Sequence, residues 1–295
     1  MPAAARLLPA LILLAASGCI GLSPTTSRMT LEERLIFHPQ AFAKTDERPR
    51  DAEFEDAVIE TPDGCRLHGW YQSVERPTAV VLYCHGNAGN VASRRWVVRL
   101  FRDHLNCSVL MFDYRGYGKS TGVPSEAGVL TDARSARRWL AERAKIAEKD
   151  IVLVGTSLGG AVAVDLAAKD GARALVLGST FTSLPDVASS YFFGMPTRWL
   201  LNARFDSISK IAAYHGPLLE THGESDAIVP IALGRRLFDA ANEPKQFIAI
   251  PGAGHNDPPT PELVQTIRGF LEGLPKPDRR AGEVNPAVHP SDHTR

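Results

Sequence analysis

Short, nearly continuous apolar runs recur along the chain at residues 79–84, 109–112, 151–154, 174–177, 217–219 and 246–250. Runs of this length with no polar alternation predict strands buried on both faces. Between them, residues 91–105, 126–145, 158–169, 231–241 and 261–274 carry apolar positions at helical spacing, with Trp96, Leu100 and Phe101 on related faces of the first. Residues 55–72 read as two further strands around the turn signal Thr61-Pro62-Asp63-Gly64. Buried strands alternating with helices predict one α/β domain over residues 53–274, its parallel sheet covered on both faces. Ligands of such folds bind beyond the carboxyl ends of the strands.

Three segments depart from the alternation. Residues 184–215 hold Tyr191, Phe192, Phe193, Met195 and Trp199 and are long enough for a small cap. These side chains suit an apolar acyl pocket, or equally the packing of the cap on the body. Residues 20–52 are rich in Ser, Thr, Pro and charge. They predict a tether and lead-in that touches the body briefly through Leu35-Ile36-Phe37-His38-Pro39. Residues 275–295 lack apolar spacing and predict a flexible tail.

Composition narrows the classes. Of 295 residues, 44% are apolar and 22% charged, which excludes a disordered chain. Basic and acidic side chains balance at 33 each, so the chain lacks the basic surplus of a nucleic-acid binder. Four cysteines are too few for a disulfide scaffold. Cys19 lies in an apolar leader. Cys84 and Cys107 fall at opposite edges of neighbouring strands, too far apart for a bridge, so free thiols are expected for Cys65, Cys84 and Cys107.

The chemistry is carried by loops that follow strands. Gly155-Thr156-Ser157-Leu158-Gly159 joins a buried strand to a helix. A sharp bend there would hold Ser157 strained and exposed, with glycines where a Cβ would strike the strand and helix. A serine nucleophile needs a base. His255, in the loop after the last strand, is the candidate, with His222 as the alternative. Asp226, after the preceding strand, is the candidate to orient the imidazole, with Glu224 as the competing carboxylate and Asp257 as a loop residue. The oxyanion donors are expected to be the amides of Leu158, at the helix N-terminus, and Asn87, in His85-Gly86-Asn87-Ala88-Gly89-Asn90, with Ala88 as alternative. His85 is expected to shape this loop. Arg115 and Lys119, in Asp113-Tyr114-Arg115-Gly116-Tyr117-Gly118-Lys119-Ser120, fit a solvated loop.

Together with His222-Gly223 and Gly254-His255, these motifs stand in an order that resembles the α/β-hydrolase superfamily, in the subgroup of Bem46-like proteins often labelled with the serine aminopeptidase S33 domain. The similarity covers roughly residues 53–274, and Leu35–Pro39 resembles that subgroup's lead-in. It implies an eight-stranded, mostly parallel sheet and hydrolysis without metal or organic cofactor. The substrate would be a small-molecule or lipid-like acyl compound, an ester or thioester. The short cap departs from that of the S33 peptidases. A non-catalytic binding module, a peptidase and an acyltransferase are the alternative readings on the same fold.

The leader has its own resemblance. Arg6, the apolar run 7–16 and Ala16-Ser17-Gly18-Cys19 resemble a bacterial signal peptide ending in a lipobox. The run is too short to span a bilayer. This implies export, a lipid on Cys19 and anchoring to the cell envelope, at the outer membrane where one exists because residue 20 is Ile. An ordinary cleaved signal peptide is the alternative.

Overall fold

The computed structural model describes residues 28–43, 54–192 and 196–276. Eight strands form one sheet: β1 (Glu55–Glu60), β2 (Arg66–Gln72), β3 (Ala79–Cys84), β4 (Cys107–Phe112), β5 (Val152–Thr156), β6 (Ala174–Gly178), β7 (Leu218–Gly223) and β8 (Lys245–Ile250). Their spatial order is β1-β2-β4-β3-β5-β6-β7-β8. β2 alone runs against the common direction of the other seven strands. The chain passes from β3 outward to β4, then returns past β3 to β5. The order therefore reverses between β3 and β5, where the following loops diverge and leave a crevice.

The register keeps the carboxyl ends level where it matters. Cys84 pairs with Gly155, Thr156 with Gly178, Gly178 with Thr221, and Gly223 with Ile250. The loops after β3, β5, β7 and β8 therefore leave from one rim.

Strand periodicity splits the core into two layers. Leu82, Leu110, Leu153 and Leu175 face α3 (Glu126–Ala144) and α4 (Leu158–Asp170). Val81, Val109, Val152 and Val176 face the opposite way, toward Val97, Val98, Phe101 and Leu271. Every one of these strand residues is at most 5% exposed, so the sheet is buried on both sides as its apolar runs require.

The predicted helix over 91–105 is not one helix. A 3-10 turn (Val91–Arg94) leads into α2 (Arg95–Arg99), and a π turn (Leu100–His104) closes the segment. The Asn90 side chain caps it by accepting from the amides of Ala92 and Ser93. The changes of pitch rotate the faces, so Val97, Val98 and Phe101 are buried while Trp96 stays half-exposed. Strand β7 runs past the predicted 217–219 to Gly223 because it carries buried Glu220, Thr221 and His222, which no apolar run reveals.

The lead-in docks over more than the patch 35–39. The short helix α1 (Leu31–Ile36) is fixed by a capping box between Thr30 and Glu33. His38–Pro39 then pairs in parallel with Ala88–Gly89. Gly118 donates to Gln40, and Phe42 donates to Gly118. The cap comprises α5 (Leu184–Tyr191) and the single turn α6 (Thr197–Leu200); α7 (Ile231–Asp239) and α8 (Pro261–Glu272) complete the domain. Cys65, Cys84 and Cys107 are free thiols. Cys19 and the segments 1–27 and 277–295 lie outside the described residues.

Arg115 is not a solvated loop residue. It is 7% exposed and donates to both oxygens of buried Asp132 and to Asp63. The ion pairs and hydrogen bonds offset the cost of burying its charge and hold the 113–120 crossover beside the rim. Lys119 lies 4.4 Å from the centroid of the Phe42 ring, which ties the same crossover to the lead-in.

Candidate active site

Ser157 occupies a backbone conformation that L residues seldom adopt, with φ 53° and ψ −122°, between β5 and α4. Such a conformation costs about 1–3 kcal/mol and persists only where the surroundings impose it. Here the flanking glycines allow it. A Cβ on Gly159 would lie 2.0 Å from the Cys84 carbonyl oxygen, and one on Gly155 would lie 2.2 Å from the Gly159 oxygen. Strand and helix are thus pressed together at the bend. The bend is fastened by the Ser157 amide donating to Gly178 (2.9 Å) and by the Thr180 hydroxyl donating to the Ser157 carbonyl (2.9 Å).

The loops after β7 and β8 are joined to each other. Ser225 donates to Ala253, and a Cβ on Gly223 would sit 2.3 Å from the Ala253 oxygen. This contact delivers His255 to Asp226, with Nδ1 2.7 Å from Oδ2. The second carboxylate oxygen accepts from the amides of Ile228 (2.9 Å) and Val229 (2.8 Å). Burial favours the neutral acid, but hydrogen bonds from His222 and His255 and the amide of Val229 outweigh it and hold the Asp226 carboxyl well below the usual range. Asp226 is therefore an anion that fixes a ring proton of His255 on Nδ1.

The structure therefore forms the carboxylate–imidazole pair expected from sequence. Among the described residues, the Ser157 hydroxyl takes part in no hydrogen bond. Contacts of this kind often tighten only when substrate is bound. The competing candidates are placed elsewhere. Glu224 is exposed, and Asp257 accepts from the Gly254 amide within its own loop. His222 is buried beneath the loop, with Nε2 2.9 Å from the Val229 carbonyl oxygen and 3.4 Å from Asp226 Oδ2. His222 is the alternative base in the sequence; its buried place beside Asp226 and the Val229 carbonyl makes it a brace instead.

The loop after β3 approaches the bend from the other side of the crevice. The Cβ position of Gly86 is 3.5 Å from Ser157 Cβ. The Asn87 carbonyl accepts from the His38 amide (3.0 Å) and the Tyr117 hydroxyl (2.7 Å), and its side-chain amide donates to the Ile36 carbonyl (2.8 Å). These bonds use the carbonyl and side chain of Asn87, not its backbone N–H. The Leu158 amide is the first of α4 and has no intrahelical acceptor. His85 lies under the loop at 0% exposure, its ring nitrogen Nδ1 2.6 Å from the Gly86 oxygen and its ring against Tyr114. Burial pushes its pKa down to about 3, so it is neutral and shapes the loop.

Two features escaped sequence reading because nothing marks them in one dimension. The Tyr191 hydroxyl, at the end of α5, reaches the carbonyl oxygens of Ala227 (2.6 Å) and Ile228 (2.7 Å) and so ties the cap to the Asp226 loop. Glu220 is fully buried on β7, and burial and the nearby charge of Asp239 push its carboxyl well above the ordinary range. Among the described residues, no group of His, Cys, Asp and Glu is arranged to hold a metal ion.

Comparison with known proteins agrees with this architecture. A family profile described as the alpha/beta hydrolase fold matches residues 79–207. The uncharacterized protein Rv2307c of Mycobacterium tuberculosis is 42% identical over 273 residues, covering 90% of this chain and 95% of that one. Protein bem46 of Schizosaccharomyces pombe is 36% identical over 247 residues, covering 76% and 80%. Among solved structures, the Pyrococcus furiosus esterase Pf2001 superimposes with a TM-score of 0.65 at 21% identity, covering 80% of this chain and 97% of the esterase.

Proposed function

Since the chain belongs to the α/β-hydrolase superfamily, alongside Bem46, we propose that it is a serine hydrolase cleaving a carboxylic ester or thioester through an acyl-enzyme on Ser157. The observation that carries the reading is the 2.7 Å pairing of His255 with Asp226 on the rim that also presents Ser157 at a strained bend. A strained serine alone could be a folding device. A buried carboxylate that fixes one tautomer of a histidine on the same rim gives that serine a base.

In the proposed cycle, Ser157 Oγ attacks the substrate carbonyl carbon while His255 Nε2 takes the hydroxyl proton. Asp226 stabilises the imidazolium. The Asn87 and Leu158 amides donate to the oxyanion, each worth about 2.7–4 kcal/mol in the transition state. The carbon–oxygen or carbon–sulfur bond breaks as the leaving group takes the proton from His255. Water then repeats the sequence, with His255 as base, and releases the acid and free Ser157. The P. furiosus neighbour is an esterase, which supports ester substrates by analogy of fold.

We propose further that Cys19, outside the described residues, carries a lipid, and that the protein is exported and anchored in the bacterial envelope. The leader's charge, apolar run and small residues before Cys19 support this.

The test of the hydrolase reading is turnover of p-nitrophenyl butyrate by wild type and Ser157→Ala. The proposal predicts a loss of at least about a thousandfold on the scale seen for such nucleophiles. Equal turnover by the two proteins would remove Ser157 from the mechanism.

A further inference from the structure

We infer that the corner of the cap formed by Trp199, Leu200 and Leu31 is a lipid-contact surface that seats the protein on a bilayer. Among the described residues, five large apolar side chains stand out as exposed, and three are these: Trp199 at 89%, Leu31 at 76% and Leu200 at 60%. They come from two segments far apart in sequence that the fold joins. The carboxylate of Glu32, next to Leu31, accepts from the backbone amides of Asn202 (2.7 Å) and Ala203 (2.8 Å) and from the Asn202 side chain (2.7 Å). The donors of those bonds lie just beyond the end of α6, so the start of α1, which carries Leu31, adjoins the end of α6, which carries Trp199 and Leu200.

The occupant follows from where the chain leads. The described lead-in begins at Arg28, and Leu31 opens α1 three residues on. With the lead-in docked on the body, only eight residues separate Cys19 from Arg28. Fully extended, that length reaches roughly 30 Å. A lipid on Cys19 would therefore hold this corner close to the bilayer surface, whatever path the segment takes. The inference rests on the lipid-anchor reading and not on the chemistry of Ser157. A tryptophan flanked by leucines suits the interface, where an amphipathic ring is most stable. Charge is not the attraction. Arg28, Arg34, Arg198 and Arg204 around the corner are matched by Glu32, Glu33, Asp186 and Asp206, with Arg198 paired to Asp186 at 3.2 Å. Contact is therefore expected on zwitterionic lipid as much as on anionic lipid. The corner is also tied to the candidate site: the Thr197 hydroxyl on α6 donates to the Pro185 carbonyl on α5 (2.9 Å), and Tyr191 at the end of α5 donates to the loop that carries Asp226. A substrate presented at a lipid surface fits this placement.

The test is quenching of tryptophan fluorescence by phosphatidylcholine carrying brominated acyl chains, with the full lipidated chain bound to vesicles. The four tryptophans are separated by variants, since Trp70 is fully buried, Trp139 packs edge-on against Tyr71 with ring centroids 5.7 Å apart, and Trp96 lies on α2. Wild type and Trp96→Phe should both be quenched, and Trp199→Phe should lose at least half of that quenching while its circular dichroism is unchanged. Quenching of Trp199→Phe as strong as that of wild type would overturn the inference. So would a vesicle-bound wild type that is not quenched, an outcome that leaves the anchor standing. Concentration-dependent dimers, or the chain's own leader, shielding Trp199 from added iodide without vesicles would also overturn it, by assigning the corner another occupant. A chain that fails to float with vesicles would end both the anchor reading and this one.

Discussion

His222 Nε2 lies 3.4 Å from the Asp226 oxygen that His255 Nδ1 takes at 2.7 Å. One carboxylate oxygen thus faces two imidazoles, one at the rim and one buried beneath it. The buried ring also bonds the Val229 carbonyl, so it fixes the turn on which Asp226 sits. Replacing His222 with Leu removes a donor to an anion, an interaction worth about 1.5–3 kcal/mol. The expected result is a kcat for p-nitrophenyl butyrate reduced about tenfold to a hundredfold with KM little changed, read beside a thermal melt. A variant that melts earlier but turns over at the wild-type rate would reduce His222 to a purely structural role.

The neutral state of Glu220 has a measurable consequence for stability. Its carboxyl is held well above the ordinary range by burial and by Asp239, whereas in the unfolded chain it ionises near pH 4. A raised folded value gives stability that is complete below the unfolded value and is lost as pH rises toward the folded one, at about 1.4 kcal/mol per pH unit. Glu220→Gln carries no such loss. Urea denaturation should show the variant more stable than wild type at pH 7, with the difference vanishing toward pH 4.

Asp226 has the opposite sign. Its folded value is depressed, so its contribution is present above the ordinary carboxylate value and is lost only as pH falls through the folded value. Asp226→Asn should therefore be less stable than wild type at neutral pH, with the gap closing in strong acid. It should also lose turnover by about a ten-thousandfold, as expected when the carboxylate no longer selects the tautomer. Denaturation curves and initial rates on the same preparation check both.

The loop after β3, proposed to supply an oxyanion donor, is tied to the lead-in. Asn87→Ala keeps the backbone amide but removes the bond to the Ile36 carbonyl (2.8 Å), and Tyr117→Phe removes the bond to the Asn87 carbonyl (2.7 Å). Each should lower kcat about tenfold with KM little changed, because a misplaced donor weakens stabilisation of the transition state more than ground-state binding. Steady-state rates across several ester concentrations separate the two parameters.

The sheet was legible in the sequence because its strands are buried on both faces and therefore read as unbroken apolar runs. The candidate triad was legible because Ser157, Asp226 and His255 each follow such a run, and the topology must bring the carboxyl ends to one rim. What stayed hidden were polar groups inside elements. Glu220 and His222 sit on β7 at 0% exposure, and their meaning depends on burial and neighbours that one dimension does not display. The docking of the lead-in was underestimated for a related reason. Its hold comes from backbone pairing with Ala88–Gly89 and from the carboxylate of Glu32, not from apolar spacing. Arg115 read as solvated because Asp132 and Asp63 reach it from distant positions in the chain.

The Ser157 hydroxyl is proposed to be a nucleophile activated by the Asp226–His255 pair. The most direct measurement treats folded wild type with an alkyl phosphonofluoridate and locates the adduct by peptide mass spectrometry. A single phosphonyl group on Ser157, with fluoride displaced and labelling slowed at least a hundredfold in His255→Ala, is the predicted result. An unlabelled wild type, or an adduct on any other residue, would contradict it.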